Sequence, residues 1–218
     1  MKKAALHNLG CKVNAYETEA MQHLLEEAGY EIVPFTQKAD VYVINTCSVT
    51  NMADRKSRQM LHKAKKNNPD SIVVAAGCYV QTSEKEVLND LSVDIVIGND
   101  RKHDLVRLLE EYSLDSVNDT VDDINDGKHD FEELFIDQTK EHTRAFIKVQ
   151  DGCNQFCSYC IIPYARGRVR SRRFENVIAE VERLAANGFK EVVLTGIHLS
   201  SYLSLIHISE PTRLGMIS

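Results

Sequence analysis

Three cysteines stand close together in residues 150–160, whose sequence is QDGCNQFCSYC. They are Cys153, Cys157 and Cys160, and their spacing is C-x3-C-x2-C. A cubane iron–sulfur cluster takes four ligands, so three thiolates on one loop would hold such a cluster and leave one iron open to a small molecule. Zinc is the alternative, although zinc sites usually use paired C-x2-C knuckles or Cys/His combinations, and the nearby sequence offers no fourth ligand.

Disulfides are a further alternative, because the chain holds six cysteines, an even number. Residues 1–3 are followed by the short apolar run 4–6 and then by polar residues, which does not make the apolar core of a signal peptide. No apolar run approaches the roughly 18 residues of a membrane span. We therefore expect a cytoplasmic protein with no membrane association, in a reducing compartment where clustered cysteines favour metal or redox chemistry.

The amino-terminal half alternates between short apolar runs and amphipathic stretches. The apolar runs predict four strands, at residues 3–9, 40–45, 71–77 and 93–98. Helical patterns cover residues 14–28, 51–66, 84–91 and 102–112. Strict alternation of strand and helix predicts an α/β fold, with an open parallel sheet and crossover helices over residues 1–112.

The other three cysteines each follow a predicted strand. Cys11, Cys47 and Cys78 would lie at the carboxyl ends of the first three strands, the edge at which such sheets bind ligands. Gly10 and Gly77 precede two of them and permit a close backbone approach to a bulky inorganic cluster. We predict a second three-thiolate cluster here. The alternative is three buried free cysteines, a common state of that residue type.

An acidic segment, residues 113–141, separates this domain from the cysteine loop. Hydrophobic periodicity fades in it, and we predict a solvated linker. Residues 144–149 then indicate a strand, 174–187 an amphipathic helix and 190–195 a further strand. Strand, loop, helix and strand predict the beginning of a (β/α) barrel over residues 142–202, with its chemistry at the carboxyl ends of the strands.

Five arginines follow the cysteine loop within residues 166–173. They are Arg166, Arg168, Arg170, Arg172 and Arg173. The net charge of −6 argues against a protein that coats nucleic acid, but a local basic stripe can still bind phosphates, because screening confines such effects to roughly 8 to 10 Å. A solvated charged face is the alternative.

Several of these motifs together resemble a known family. The C-x3-C-x2-C loop after a barrel strand resembles the radical S-adenosylmethionine (SAM) superfamily, and three strand-end cysteines in a preceding domain resemble its methylthiotransferases. The stretches LGCKVNAYETEA, INTCSVTNMADRKSR, AAGCYVQ, DGCNQFCSYCIIPYARGRVRSR and LTGIHLSSY are similar to the branch that acts on threonylcarbamoyladenosine in tRNA. The resemblance covers residues 1 to about 202.

The resemblance implies two [4Fe-4S] clusters and SAM as cofactors. Cys153, Cys157 and Cys160 would hold the cluster that binds and reductively cleaves SAM, and Cys11, Cys47 and Cys78 would hold an auxiliary cluster that presents sulfur. The implied reaction inserts a methylthio group at C2 of N6-threonylcarbamoyladenosine, at position 37 of tRNA. The implied partners are tRNA and an electron donor such as flavodoxin or ferredoxin.

The resemblance also assigns contacts to other residues. Gly196 would lie against bound SAM, or alternatively be an ordinary turn glycine. Phe156 and Tyr159 would shield the SAM-binding cluster rather than stack on RNA. The five arginines would contact either the SAM carboxylate or tRNA phosphates.

Two other functions remain open. One is a different radical SAM enzyme, such as an isopentenyladenosine tRNA or ribosomal-protein methylthiotransferase. The other is a non-catalytic iron–sulfur or zinc protein that binds RNA through its arginines.

The last residues, 203–218, depart from the family pattern. A member of this family is expected to continue through further barrel strands and a small RNA-binding β-barrel, whereas LSLIHISEPTRLGMIS has no strand–helix rhythm and resembles translated sequencing-adapter sequence. We interpret it as a tail joined to a truncated reading frame, and we expect no turnover from the chain as given.

Overall fold

A computed structural model describes residues 1–112, 118–126, 129–136 and 144–203. The predicted tail therefore lies outside the described residues, apart from Leu203. Parts of the predicted linker lie outside them as well.

The amino-terminal part contains a six-stranded, wholly parallel sheet, which confirms the predicted open α/β fold. The strand order is β2-β1-β3-β4-β5-β6. The strands are β1 (Lys3–Asn8), β2 (Glu31–Ile32), β3 (Val41–Thr46), β4 (Ile72–Gly77), β5 (Ile95–Ile97) and β6 (Asn118–Thr120). The short strands β2 and β6 at the two ends of this order were not predicted.

Helices cover both faces of this sheet. They are α1 (Lys12–Glu27), α2 (Asn51–Asn67), α3 (Cys78–Thr82), α4 (Glu84–Leu88) and α5 (Leu105–Glu111). Successive side chains of a strand point to opposite faces, so β3 supplies Tyr42 and Ile44 to one core and Val43 to the other. Leu61 of α2 packs in the first core and Leu25 of α1 in the second. Within the described residues, no helix is long and apolar enough to cross a membrane.

The carboxyl-terminal part has the predicted order of strand, loop, helix and strand. Its elements are β7 (Ala145–Asp151), α6 (Ile162–Arg166), β8 (Arg170–Ser171), α7 (Phe174–Ala186) and β9 (Val192–Gly196). β9 pairs in parallel with β7, and β8 pairs antiparallel on the other side. Ile147 and Val149 of β7 pack against Val177 and Leu184 of α7. The loop between β7 and α6 therefore begins at a strand that is packed into a core.

The prediction of a solvated linker is wrong for the described part of residues 113–141. The strand β6 extends the sheet, and Ile124, Leu134 and Ile136 are buried. The Tyr16 hydroxyl of α1 donates to the Leu134 carbonyl at 2.5 Å. The apolar residues of this segment are sparse and follow neither the helical nor the strand period, so the pattern did not reveal them.

Candidate functional site

The sheet-edge cysteines, Cys11, Cys47 and Cys78, each follow a strand, as predicted. The three strands concerned, β1, β3 and β4, are neighbours in the sheet. Cys47 and Cys78 directly follow two residues that pair with each other across β3 and β4. Cys11 is the residue before α1, Cys78 is the first residue of α3, and Cys47 is buried. Three short strand ends therefore carry one thiol each to the same edge.

Steric and electrostatic contacts show that these thiols share one environment. Gly10 has a φ of +106°, and a Cβ at that position would lie 2.9 Å from the Cys47 sulfur. Burial raises the pKa of the Cys47 thiol, and the neighbouring thiols of Cys78 and Cys11 raise it further. A negative charge at Cys78 or Cys11 is thus felt at the Cys47 thiol.

The cysteine thiols are of the ligand type that an iron–sulfur cluster needs. Among the described residues, no three His, Cys, Asp or Glu side chains come together tightly enough for a single metal ion. A cubane distributes its thiolates over separate irons, so its ligands stand farther apart than those of one ion. All six cysteines are free thiols, the donor type that iron–sulfur clusters use.

The loop cysteines, Cys153, Cys157 and Cys160, lie between β7 and α6. Cys157 is exposed and the other two are half-buried. The Cys153 amide donates to the Gly167 carbonyl at 3.0 Å, and the Cys160 amide donates to the Cys157 carbonyl at 2.9 Å. These bonds fold the loop back on the segment that follows it, so its thiols are held at the carboxyl end of β7.

Gly152 is the residue at which this loop depends on glycine. Its φ is +71°, and an added Cβ would overlap the Arg168 carbonyl. Gly152→Ala is therefore expected to lower the free energy of unfolding by at least about 1–2 kcal/mol from the left-handed backbone, and by more from the overlap. Gly188→Ala is the control, because Gly188 has a φ of +93° but nothing within 4 Å of its Cβ position. Urea denaturation of both variants measures the difference, and equal losses would show that the overlap at Gly152 is relieved without cost.

Two of the predicted cofactor contacts have clear structural positions. Tyr159 is 91% exposed, so within this chain it covers little. Gly196 ends β9 beside β7, where a Cβ would lie 2.9 Å from both Cβ and Oε1 of Gln150. Close approach of the two strands thus gives Gly196 a packing role, and its contact with SAM stays a prediction. Phe156 lies beneath the Arg168 guanidinium, 4.3 Å from ring centroid to charge.

The arginines do not form the continuous basic stripe that the sequence suggested. Arg166 and Arg172 are fully buried, and Arg170 is 8% exposed. Arg168 and Arg173 are exposed. Arg166 pairs with Glu17 and Asp151, and Arg172 pairs with Glu133 and Glu180, which argues against phosphate contacts for these two. The expected contacts of the arginines with SAM or phosphate stay predictions. Only the exposed pair retains a free basic surface.

A buried group of charged side chains, here termed the charge cluster, joins α1 to the carboxyl-terminal part that carries the cysteine loop, here termed the loop-bearing part. Its members are Glu17, Asp151, Lys102, Lys148, Arg166 and Arg170. Arg166 Nη1 lies 2.8 Å from Glu17 Oε1 and 3.1 Å from Asp151 Oδ2. Lys148 Nζ bridges the same carboxylates at 2.7 and 2.8 Å.

The cations control the ionisation of these carboxylates. Burial alone would raise the pKa of the Glu17 carboxyl, but Arg166, Lys102 and Lys148 hold it well below its usual range. Burial acts in the same way on Asp151, and Arg166 and Lys148 again outweigh it and lower the pKa. Both groups are therefore charged at neutral pH.

Asn99 links Cys78 to α6, the helix that follows the loop cysteines. Its side-chain amide donates to the Cys78 sulfur at 3.6 Å and to the Ala165 carbonyl of α6 at 2.6 Å. Lys102 Nζ donates to the Asn99 Oδ1 at 2.8 Å, which fixes the orientation of the amide. The helix that follows the loop cysteines is thus bonded to the residue that holds Cys78.

Sequence reasoning missed these polar residues. They are Asn14, Glu17, Asn99, Lys102, Lys148 and Asp151, all of them buried. One signal was present: Asn14 and Glu17 are three residues apart and thus on one face of α1, beside the buried apolar residues Val13 and Met21. Polar side chains on a core-facing stripe indicate buried partners.

Comparison with protein families finds two matches along the chain. Residues 3–98 match the family described as uncharacterized protein family UPF0004. Residues 147–210 match the radical SAM superfamily. This match runs past Tyr202. The interpretation of residues 203–218 as a tail outside the family therefore stays a prediction. The loop cysteines therefore lie within a segment that matches the radical SAM superfamily.

Curated relatives narrow this class. The chain is 47% identical to the threonylcarbamoyladenosine tRNA methylthiotransferase MtaB of Bacillus subtilis over 204 residues, which are 93% of this chain and 45% of that protein. It is 46% identical to the MtaB of Aquifex aeolicus, over 92% of this chain and 49% of that protein. It is 35% identical to a tRNA-2-methylthio-N(6)-dimethylallyladenosine synthase of Thermoanaerobacter sp., over 90% and 43%. The chain is thus similar to radical SAM methylthiotransferases, and it spans about half the length of these curated relatives.

Proposed function

We propose that this chain is the cluster-bearing part of a methylthiotransferase that acts on threonylcarbamoyladenosine at position 37 of tRNA. The observation that carries the proposal is the presence of two three-cysteine sets, one at the sheet edge and one on the loop after β7. Asn99 bonds Cys78 of the first set to α6, the helix that follows the second. Three ligands in each set leave one position open at each cluster. Two open positions suit a reaction that must bind SAM at one centre and sulfur at the other.

The loop cysteines would hold the SAM-binding [4Fe-4S] cluster and the sheet-edge cysteines the auxiliary [4Fe-4S] cluster. When bound, these groups supply the radical and the sulfur for methylthio insertion. The chain itself holds both sets in a fixed arrangement: the charge cluster ties α1 to β7, and Asn99 ties Cys78 to α6.

The choice of substrate rests on the relatives named for threonylcarbamoyladenosine, at 46–47% identity, against 35% for the dimethylallyladenosine synthase. Arg168 and Arg173 are the exposed cations of the arginine segment that could contact tRNA phosphates. Six free thiols suit a reducing cytoplasm, where an electron donor such as flavodoxin or ferredoxin would reduce the loop centre.

Iron and sulfide counting after anaerobic reconstitution tests the proposal. The unaltered chain is expected to bind about eight irons, as two cubane clusters do. Replacing all three sheet-edge cysteines with alanine is expected to leave about four irons, and so is replacing all three loop cysteines. The contradicting result is an unaltered chain that binds only about four irons, keeps them when the sheet-edge cysteines are replaced, and loses them when the loop cysteines are replaced. It would leave one SAM-type cluster and reject sulfur insertion by this chain.

A further inference from the structure

The charge cluster contains more cations than carboxylates. Its four cations face Glu17 and Asp151, and Glu132 adds a third carboxylate that acts on Lys148. Within the described residues, Nε of Arg166 and both Nε and Nη1 of Arg170 have no hydrogen-bond acceptor. Buried charge without a counter-charge is unfavourable, so this surplus of positive charge favours an anion nearby.

One of these cations, Arg166, lies near the sheet-edge cysteines. Arg166 is the last residue of α6, and α6 packs against α3, whose first residue is Cys78. Although burial lowers the pKa of the Arg166 guanidinium, Asp151 and the Cys78 thiol raise it, so the arginine and this thiol attract one another. Three thiolates carry more negative charge than a cubane core carries positive charge, so a loaded centre would be an anion that balances these cations.

Asn99 adds a directed contact to this field. Its amide hydrogens point at the Cys78 sulfur and at the Ala165 carbonyl, while Lys102 holds its oxygen. Asn99 and Lys102 are both fully buried, so the bond to sulfur does not compete with water. Hydrogen bonds to ligand sulfur and nearby charge are the means by which a protein sets a cluster potential.

We propose that Asn99, Lys102 and Arg166 raise the reduction potential of the centre held by the sheet-edge cysteines. The inference rests on the proposed function, because it requires a cluster at that edge. Reduction adds a negative charge to the centre, and an amide donor and buried cations stabilise the more negative state. The three residues act through Cys78 and are positioning residues. Because Asn99 also bonds to Ala165, this effect depends on docking of the loop-bearing part against the sheet.

The test uses this chain with its loop cysteines replaced by alanine, so that only the sheet-edge centre is loaded. The potential is measured by redox titration followed by electron paramagnetic resonance. Lys102→Met removes one buried cation and is expected to lower the potential. Asn99→Asp removes the donor to sulfur and adds a negative charge, so it is expected to lower the potential further, while its carboxylate still accepts a hydrogen bond from Lys102.

Lys65→Met is the matched control. Lys65 also pairs with a buried partner in the same domain, but it donates to Ser71 and Asp94, which precede β4 and β5 at the opposite edge of the sheet. The reduction potential of the sheet-edge centre in Lys65→Met is expected to equal that of the parent. Potentials of Lys102→Met and Asn99→Asp that match the control, at full iron content, would overturn the inference and leave the proposed function standing. If Lys102→Met does not fold, Asn99→Asp decides alone. A parent chain that binds no iron would remove both proposals.

Discussion

Replacing Glu17 with alanine is expected to lower the free energy of unfolding by about 3–5 kcal/mol. Glu17 is fully buried in α1 and lies within 3.3 Å of three different cations: Arg166, Lys148 and Lys102. Its removal leaves a further positive charge without a partner in a space that water does not reach. The loss arises mainly from the cations left behind, since removing one partner of a buried pair leaves the other charge uncompensated.

Urea denaturation of the full chain at neutral pH measures this loss. Glu27→Ala provides the control on the same helix, because Glu27 is exposed and, among the described residues, pairs with His23 at 3.5 Å. Exposed pairs contribute about 0–1 kcal/mol, so the control is expected to stay close to the parent. Similar losses for Glu17→Ala and Glu27→Ala would show that the cations of the charge cluster are compensated by other means.

The sequence sufficed to predict the two cysteine sets and the sheet that carries one of them. The reason is local: a strand period followed by a cysteine, three times over, places thiols at one edge of a parallel sheet, and the loop spacing is contained within residues 153–160. No contact between distant residues is needed for either prediction.

The charge cluster could not be predicted in this way. Glu17 and Arg166 are separated by 149 positions, and nothing in either neighbourhood marks the pairing. In the sequence, Arg166 is one of five arginines that suggest an exposed stripe. In the structure, whether each arginine is buried depends on which carboxylate reaches it: Glu17 and Asp151 reach Arg166, and no carboxylate pairs with Arg168 among the described contacts. Ion pairs between remote elements are a property of the tertiary fold.

Replacing Arg172 with methionine is expected to destabilise the chain by about 3–5 kcal/mol at neutral pH. Arg172 is fully buried, and it bonds to Glu180 of α7 and to the Leu134 carbonyl, the latter at 3.1 Å. Tyr16 of α1 lies 3.2 Å from Glu180, so this arginine stands where α1, the segment around Leu134 and α7 meet. Its loss leaves the Glu180 carboxylate buried without a cation.

The expected loss depends on pH in a definite direction. Burial raises the pKa of Glu180 and Arg172 opposes that rise, so the pKa in the variant is expected to be higher still. An acid whose pKa is raised by folding binds its proton more tightly in the folded state. The pH-dependent part of the added destabilisation is therefore absent below the folded pKa of Glu180 in the parent, grows as the pH rises through it, and is complete above the higher folded pKa of the variant.

Denaturation at pH 5 and at pH 8 tests this sign, and Glu180→Gln supplies the matched control. Glutamine keeps an oxygen that can accept from the Ile136 amide, which lies 3.0 Å from the Glu180 carboxylate, but it carries no charge. In the Arg172→Met, Glu180→Gln double variant, the pH dependence that Arg172→Met adds is expected to disappear, and part of the stability to return. An Arg172→Met loss that is equal at both pH values, and that Glu180→Gln does not reduce, would mean that the arginine stabilises this junction by packing rather than by charge.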